Sequence, residues 1–148
     1  MTQTSTAING CDASIWLDKS TGVLTDISGS SNTYNMDFDN ELGALRNFGS
    51  RWPIRLECGK DATFTLAITY TTATDEAVSI LKEWYFTNPG RRSVRFYLPD
   101  KSIGADLYSG EVRLEKLSVP VEAGKADPIL VTATLRPDGE FSWAVNAT

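Results

Sequence analysis

Gly59-Lys60-Asp61-Ala62-Thr63-Phe64-Thr65-Leu66-Ala67-Ile68-Thr69-Tyr70-Thr71-Thr72 is the most regular stretch of the chain. Ala62, Phe64, Leu66, Ile68 and Tyr70 fall on one side, and Thr63, Thr65, Ala67, Thr69 and Thr71 on the other. A period of two is the signature of a strand, because successive side chains point to opposite faces. β-branched Thr suits a pleated surface. The apolar face requires a core, and the Thr-rich face suits a neighbouring sheet or a wet cavity. The period then changes. Ala77, Ile80, Leu81 and Trp84 are spaced i, i+3, i+4, i+7, which predicts a helix over Thr74–Phe86 with one stripe on the sheet. Thr74 is placed to cap it, and Asp75 and Glu76 suit its positive end. Asn88-Pro89-Gly90 ends it.

Working outward, strand signals recur on both sides. Cys11, Ala13, Ile15 and Leu17 alternate with Asp12, Ser14 and Asp18, with Trp16 breaking the polar side; Lys19-Ser20-Thr21-Gly22 reads as a turn. Val23–Ile27 is a short strand candidate, and Tyr34, Met36 and Phe38 share one face of another. Downstream, Val94, Phe96 and Leu98 precede a Pro99-Asp100 turn. Asp106–Val121 changes phase between Leu114 and Leu117, which predicts a bulge near Glu115-Lys116. Ile129, Val131, Ala133 and Leu135 form a further strand, Arg136-Pro137-Asp138-Gly139 reads as a turn, and Phe141, Trp143 and Val145 close the pattern as a last strand. The fold class is therefore mainly β: a β-sandwich or barrel of about seven or eight strands with one flanking α-helix, in a single domain over residues 1–148.

Two segments fall outside this pattern. Met1–Asn9 carries neither the basic start nor the apolar run of a signal peptide and reads as a flexible arm. Asp39–Pro53 reads as a long loop of about fifteen residues, a length that is usually functional. It holds Leu42, Leu45, Phe48 and Trp52, and apolar residues on such an excursion are expected to pack on another subunit. Trp52 is the best anchor among them, since Trp is enriched at binding hot spots.

Composition narrows the function. With 41% hydrophobic and 22% charged residues the chain is ordinary globular material, and no apolar run is long enough to span a membrane. A net charge of −5 argues against a tight grip on nucleic acid, which needs clustered Lys and Arg. Histidine is absent, which removes the usual general base, the nucleophile–His pairs and most zinc sites. No enzyme activity, metal or cofactor is expected. Asp37-x-Asp39-x-Glu41 only faintly resembles a calcium run and reads first as a solvated acidic patch. Arg91, Arg92 and Arg95 form a basic cluster better read as solvated or internally paired than as a phosphate site. Cys11 and Cys58 read as two reduced, half-buried thiols rather than a bridge.

The order of elements also carries a resemblance. The run from Gly59 to Leu66, the Thr-rich strand, the helix with Asp75-Glu76-Ala77, the Arg91–Leu98 strand and Pro99-Asp100 come first. Tyr108-Ser109-Gly110-Glu111-Val112, the Leu117–Gly124 stretch and Arg136-Pro137-Asp138-Gly139 follow. Together they resemble the major tail (tail tube) proteins of long-tailed bacteriophages. Leu24-Thr25-Asp26-Ile27-Ser28 fits the same family, and the likeness covers roughly residues 10–140. It rests on the order of elements, with no single diagnostic motif. The resemblance implies a non-catalytic structural subunit that closes into hexameric rings, which stack into a tube for DNA ejection. It implies as partners further copies of the chain, a tape measure protein, a tail terminator, and genomic DNA that passes without specific binding. It implies a place in the virion tail after assembly in the host cytoplasm, with no membrane. The segments 1–9 and 39–53 would bridge subunits and rings, and Asp37 and Asp39 would face the lumen. Two alternatives stay open: a tube or ring component of a related injection or secretion machine or a tail terminator, and, from another class, a monomeric ligand-binding β-sandwich. The last would carry a row of exposed aromatics on one sheet face.

Overall fold

The computed structural model describes residues 7–19, 22–49, 51–74, 76–124 and 126–147. Its elements are β1 (Ser14–Asp18), β2 (Leu24–Asp26), a 3-10 turn (Ser28–Ser30), β3 (Ser31–Leu45), β4 (Ile54–Thr69), α1 (Ala77–Phe86), β5 (Arg91–Leu98), β6 (Asp106–Ser118) and β7 (Leu130–Val145). All the strands belong to one antiparallel sheet in the order β2-β1-β5-β6-β7-β4-β3. The sheet curls on itself. Tyr34 on β3 and Phe96 on β5 are separated by three strands in the sheet order, yet their rings lie 5.1 Å apart. Phe64 on β4 lies 5.5 Å from the same Phe96. The chain is thus mainly β with a flanking helix, as expected, and its sandwich-like closure is made from a single sheet.

The core sits inside this curl. Ala62, Phe64, Leu66 and Ile68 are all buried on β4, facing Val131, Ala133 and Leu135 of β7, Val94 and Phe96 of β5, and Ile15 and Leu17 of β1. Helix α1 closes one end by burying Ala77, Ile80, Leu81 and Trp84, the stripe its spacing predicts, together with Val78. Its start differs from expectation. The helix begins at Ala77 rather than Thr74, and its first amide donates to Ser30 Oγ at 3.3 Å. The Glu76 carboxylate accepts from the Thr71 hydroxyl. A distant turn supplies the cap, so the local sequence around Thr74 could not disclose it; Asp75 lies outside the described residues.

Three further expectations are corrected. Asp39–Pro53 is not an irregular loop. β3 and β4 stay paired from Asp39↔Asp61 to Leu45↔Ile54, with a bulge after Glu41, so only residues 46–53 connect them. Arg136–Gly139 does not split two strands. β7 runs through it, with Pro137 paired to Val112 and Phe141 to Gly110, so that Asp138, Gly139 and Glu140 bulge against Glu111 alone. Gly139 supports the bulge with a φ of 111°. The cysteines are free and exposed rather than half-buried. The bulge expected near Glu115-Lys116 is present, as a register shift between Leu114 and Lys116. Of the expected arm 1–9, only Ala7, Ile8 and Asn9 are described, and they are exposed; within the expected Lys19–Gly22 turn, Ser20 and Thr21 likewise lie outside the described residues. No described helix is long and apolar enough to cross a membrane.

Candidate assembly surface

Beyond Ala62 the β3–β4 hairpin leaves the core. The first half of β4 is exposed throughout, whereas from Ala62 it alternates buried and half-buried. Directly paired residues of an antiparallel ladder share a face. Leu45 therefore stands beside Ile54, and Leu56 beside Gly43, on one face of this projecting arm; Leu42 stands beside Glu57 on the other. Phe48 and Trp52 crown the tip at 114% and 83% exposure. The residues singled out from sequence are thus all exposed on the arm, but they do not form one face. Ile54 and Leu56, each more than half exposed, complete the apolar side and were missed. Their signal, Ile54-Arg55-Leu56-Glu57, is a period-two run just beyond the Asp39–Pro53 segment.

The edge of the sheet is the second feature. β3 is 15 residues long and terminal in the strand order, so no described strand pairs with its outer side. Long unpaired edges are templates for pairing with another chain, and stable monomers blunt them. At the opposite edge β2 spans only 3 residues.

The third feature is a polar wall. Asp37 pairs with Thr63, Asp39 with Asp61, and Asn35 with Thr65, which itself pairs with Thr134 of β7. Asp37 and Asp39 therefore share the Thr-rich face, on the opposite side of the sheet from the core. Arg136 leans over this face, 3.4 Å from Asp61 and 3.6 Å from Glu115. Asp37, Asp39 and Glu41 do not gather into a cage: among the described residues no group of three or more potential ligands is placed to hold a metal ion.

Two of the three arginines of the basic cluster make internal contacts, and Arg95 is exposed. Arg91 donates to the Asp138 carbonyl at 2.9 Å, and Arg92 is buried over the Trp84 ring, 5.2 Å from it, with Glu83 at 3.9 Å. Burial holds the Arg92 guanidinium below its ordinary pKa, against the nearby charges of Glu83 and Asp18. Trp16, which broke the polar side of β1, is covered by the Lys101 ammonium at 3.9 Å.

Solved structures share this architecture end to end. A chain from the tail of an empty gene transfer agent particle with C6 symmetry superposes with a TM-score of 0.73 at 16% identity, covering 93% of this chain and 99% of that one. The SPP1 tail tube gives 0.71 at 11% identity, covering 96% and 80%. The chain has the tail-tube fold. A sheath-tube complex of an extracellular contractile injection system, PVC, in its extended state, gives 0.69 at 11% identity over 95% and 93%. No protein-family profile and no curated protein matches the sequence. At such identities the tail-tube fold is held by pattern rather than by particular residues, which agrees with a resemblance carried by the order of elements.

Proposed function

We propose that this chain is the structural subunit of a tail tube, closing into hexameric rings that stack around a channel for DNA ejection. The observation that carries the proposal is the β3 edge, 15 residues long and unpaired on its outer side, in a fold shared with solved tubes. Ring closure covers such an edge with the next subunit's strand. Leu42, Leu45, Phe48 and Trp52, joined by Ile54 and Leu56, then become inter-subunit contacts, and the arm 1–9 bridges copies. Asp37 and Asp39 line the lumen, where an acidic, small-residue wall repels phosphate and lets DNA pass without holding it. The partners are further copies, a tape measure protein and a tail terminator, in a virion tail assembled in the host cytoplasm. A tube of a contractile injection machine is the second reading, favoured by the comparable likeness to the injection-system chain.

Size-exclusion chromatography and negative-stain microscopy of the purified chain test the proposal. Rings or tubes are expected, and a monomer at every concentration would refute it. Phe48→Ser combined with Trp52→Ser should leave the fold and block assembly, since neither side chain contributes to the core.

A further inference from the structure

We propose that Asn9 is a site of spontaneous covalent modification, at which the backbone nitrogen of Gly10 attacks the Asn9 side-chain carbonyl, expels ammonia and leaves an aspartyl or isoaspartyl residue just before β1. The chemistry needs no co-reactant but water and is independent of the tube role.

Asn9-Gly10 is the one place in the chain where asparagine precedes glycine. The spacing matters because the attacking nitrogen belongs to the following residue, and only glycine brings no Cβ to crowd the five-membered ring that forms. Both residues are exposed and lie outside any strand, so water reaches them. Among the described residues nothing accepts a hydrogen bond from the Gly10 amide, which leaves its nitrogen free to give up a proton.

The local fold supplies orientation. The Cys11 amide donates to Asn9 Oδ1 at 3.0 Å. This is an Asx turn, which folds the Asn9 side chain forward across the Gly10 peptide. The Ala13 amide donates to the Gly10 carbonyl at 3.3 Å and holds the turn that follows. Keeping two reacting groups together removes part of the entropic barrier. The Cys11 N–H has a second effect. As the Asn9 carbonyl is attacked its oxygen gains negative charge, and a donor already in place stabilises that charge.

The Gly10 nitrogen loses its proton to solvent and forms a bond to Asn9 Cγ. The Cγ–Nδ2 bond breaks, and the amino group takes up a proton and leaves as ammonia. Water then opens the cyclic imide. Opening at the side-chain carbonyl gives aspartate; opening at the backbone carbonyl gives isoaspartate, with one more carbon in the main chain. Either product adds a negative charge close to the exposed Asp12. Asp138-Gly139 offers the comparison, since aspartate before glycine can close the same ring with loss of water. There the carboxylate is held by Arg113 at 2.6 Å in its ionised form, which has no good leaving group, and the pair lies within β7.

Peptide mapping of the full chain, aged in mildly alkaline buffer, tests this. Asn9 should gain the mass of an amide-to-acid change, and an isoaspartyl methyltransferase should label that peptide while leaving Asp138 unlabelled. Gly10→Ala should slow the gain about tenfold or more. This variant keeps the fold, because a Cβ at Gly10 would meet nothing within 4 Å. The native chain should react at least as fast as the same chain in urea, since the Cys11 donor is in place only in the folded form. Modification that ignores Gly10→Ala, falls mainly on another asparagine or labels Asp138 equally would overturn the proposal. So would a native chain that reacts more slowly than the unfolded one, which would show the turn protecting Asn9.

Discussion

Single residues decide how closely the curled sheet can shut. Gly110 on β6 lies against Phe141 of β7, and a Cβ there would sit 2.6 Å from the Phe141 ring and 3.1 Å from the Glu140 carbonyl. The missing side chain lets Phe141 turn inward to within 4.5 Å of Phe64. Gly110→Ala should therefore destabilise the subunit by about 1–3 kcal/mol through overpacking, read as a lower urea midpoint at unchanged slope. An unchanged midpoint would mean that Phe141 is free to move aside. Asp138 acts through charge at the β7 bulge. A hydrogen bond from Arg113 at 2.6 Å, with the positive charges of Arg113 and Arg91, holds its carboxyl below the usual carboxylate range. A depressed folded pKa gives stabilisation that is fully present above the ordinary Asp value of about 3.9 and is lost as pH falls through the folded value. Asp138→Asn should accordingly lower the melting temperature at neutral pH, and the gap to the parent protein should close as pH falls below the ordinary Asp value. A gap that persists in acid would assign the effect to packing. Because the site is exposed, the difference at neutral pH should also shrink in high salt.

At the scale of elements, legibility in the sequence followed burial. The second half of β4 announced itself because Ala62, Phe64, Leu66 and Ile68 are buried and the residues between them are not. The helix stripe was equally plain, since Ala77, Ile80, Leu81 and Trp84 share one buried face. The second half of β3 pairs as regularly with β4, yet Asp39–Leu45 read as loop, because within one chain neither face of that hairpin is covered and alternation records covering rather than pairing. The Arg136–Gly139 run looked like a turn for a related reason: a Pro-Asp-Gly bulge and a hairpin use the same residues, and only the register with β6 tells them apart. The arm's exposure carries a prediction. Replacing residues 44–55 by a short Gly-containing turn removes no core residue, so the melting temperature should stay within about 3 °C of the parent's, a shift below 1 kcal/mol for a domain of this size. Assembly should be lost. A collapse of the melting temperature would show that the arm supports its own subunit.

On the scale of the whole molecule, the curled sheet solves the problem of the core but leaves the problem of the edge. Folding β3–β4 over β5 shields Phe64 and Phe96 from water, while β3 keeps a row of backbone donors and acceptors facing outward. In water those groups are solvated at little cost; in a contact between copies they must be paired. The sequence around Tyr34, Met36 and Phe38 disclosed a strand, but its place at the sheet margin depends on which strands lie beside it, and no local pattern contains that. If neighbouring subunits pair along this margin, alternate amides of β3, those not bonded to β4, should exchange rapidly in the isolated subunit and become protected on assembly. Amides bonded to β4 should be protected in both states, giving an internal control. Hydrogen exchange followed by mass spectrometry at single-residue resolution would read the alternation between Thr33 and Leu45. Assembled particles in which the outward amides still exchange like those of the free subunit would mean that copies are joined by side chains alone, and that the long margin serves some other contact.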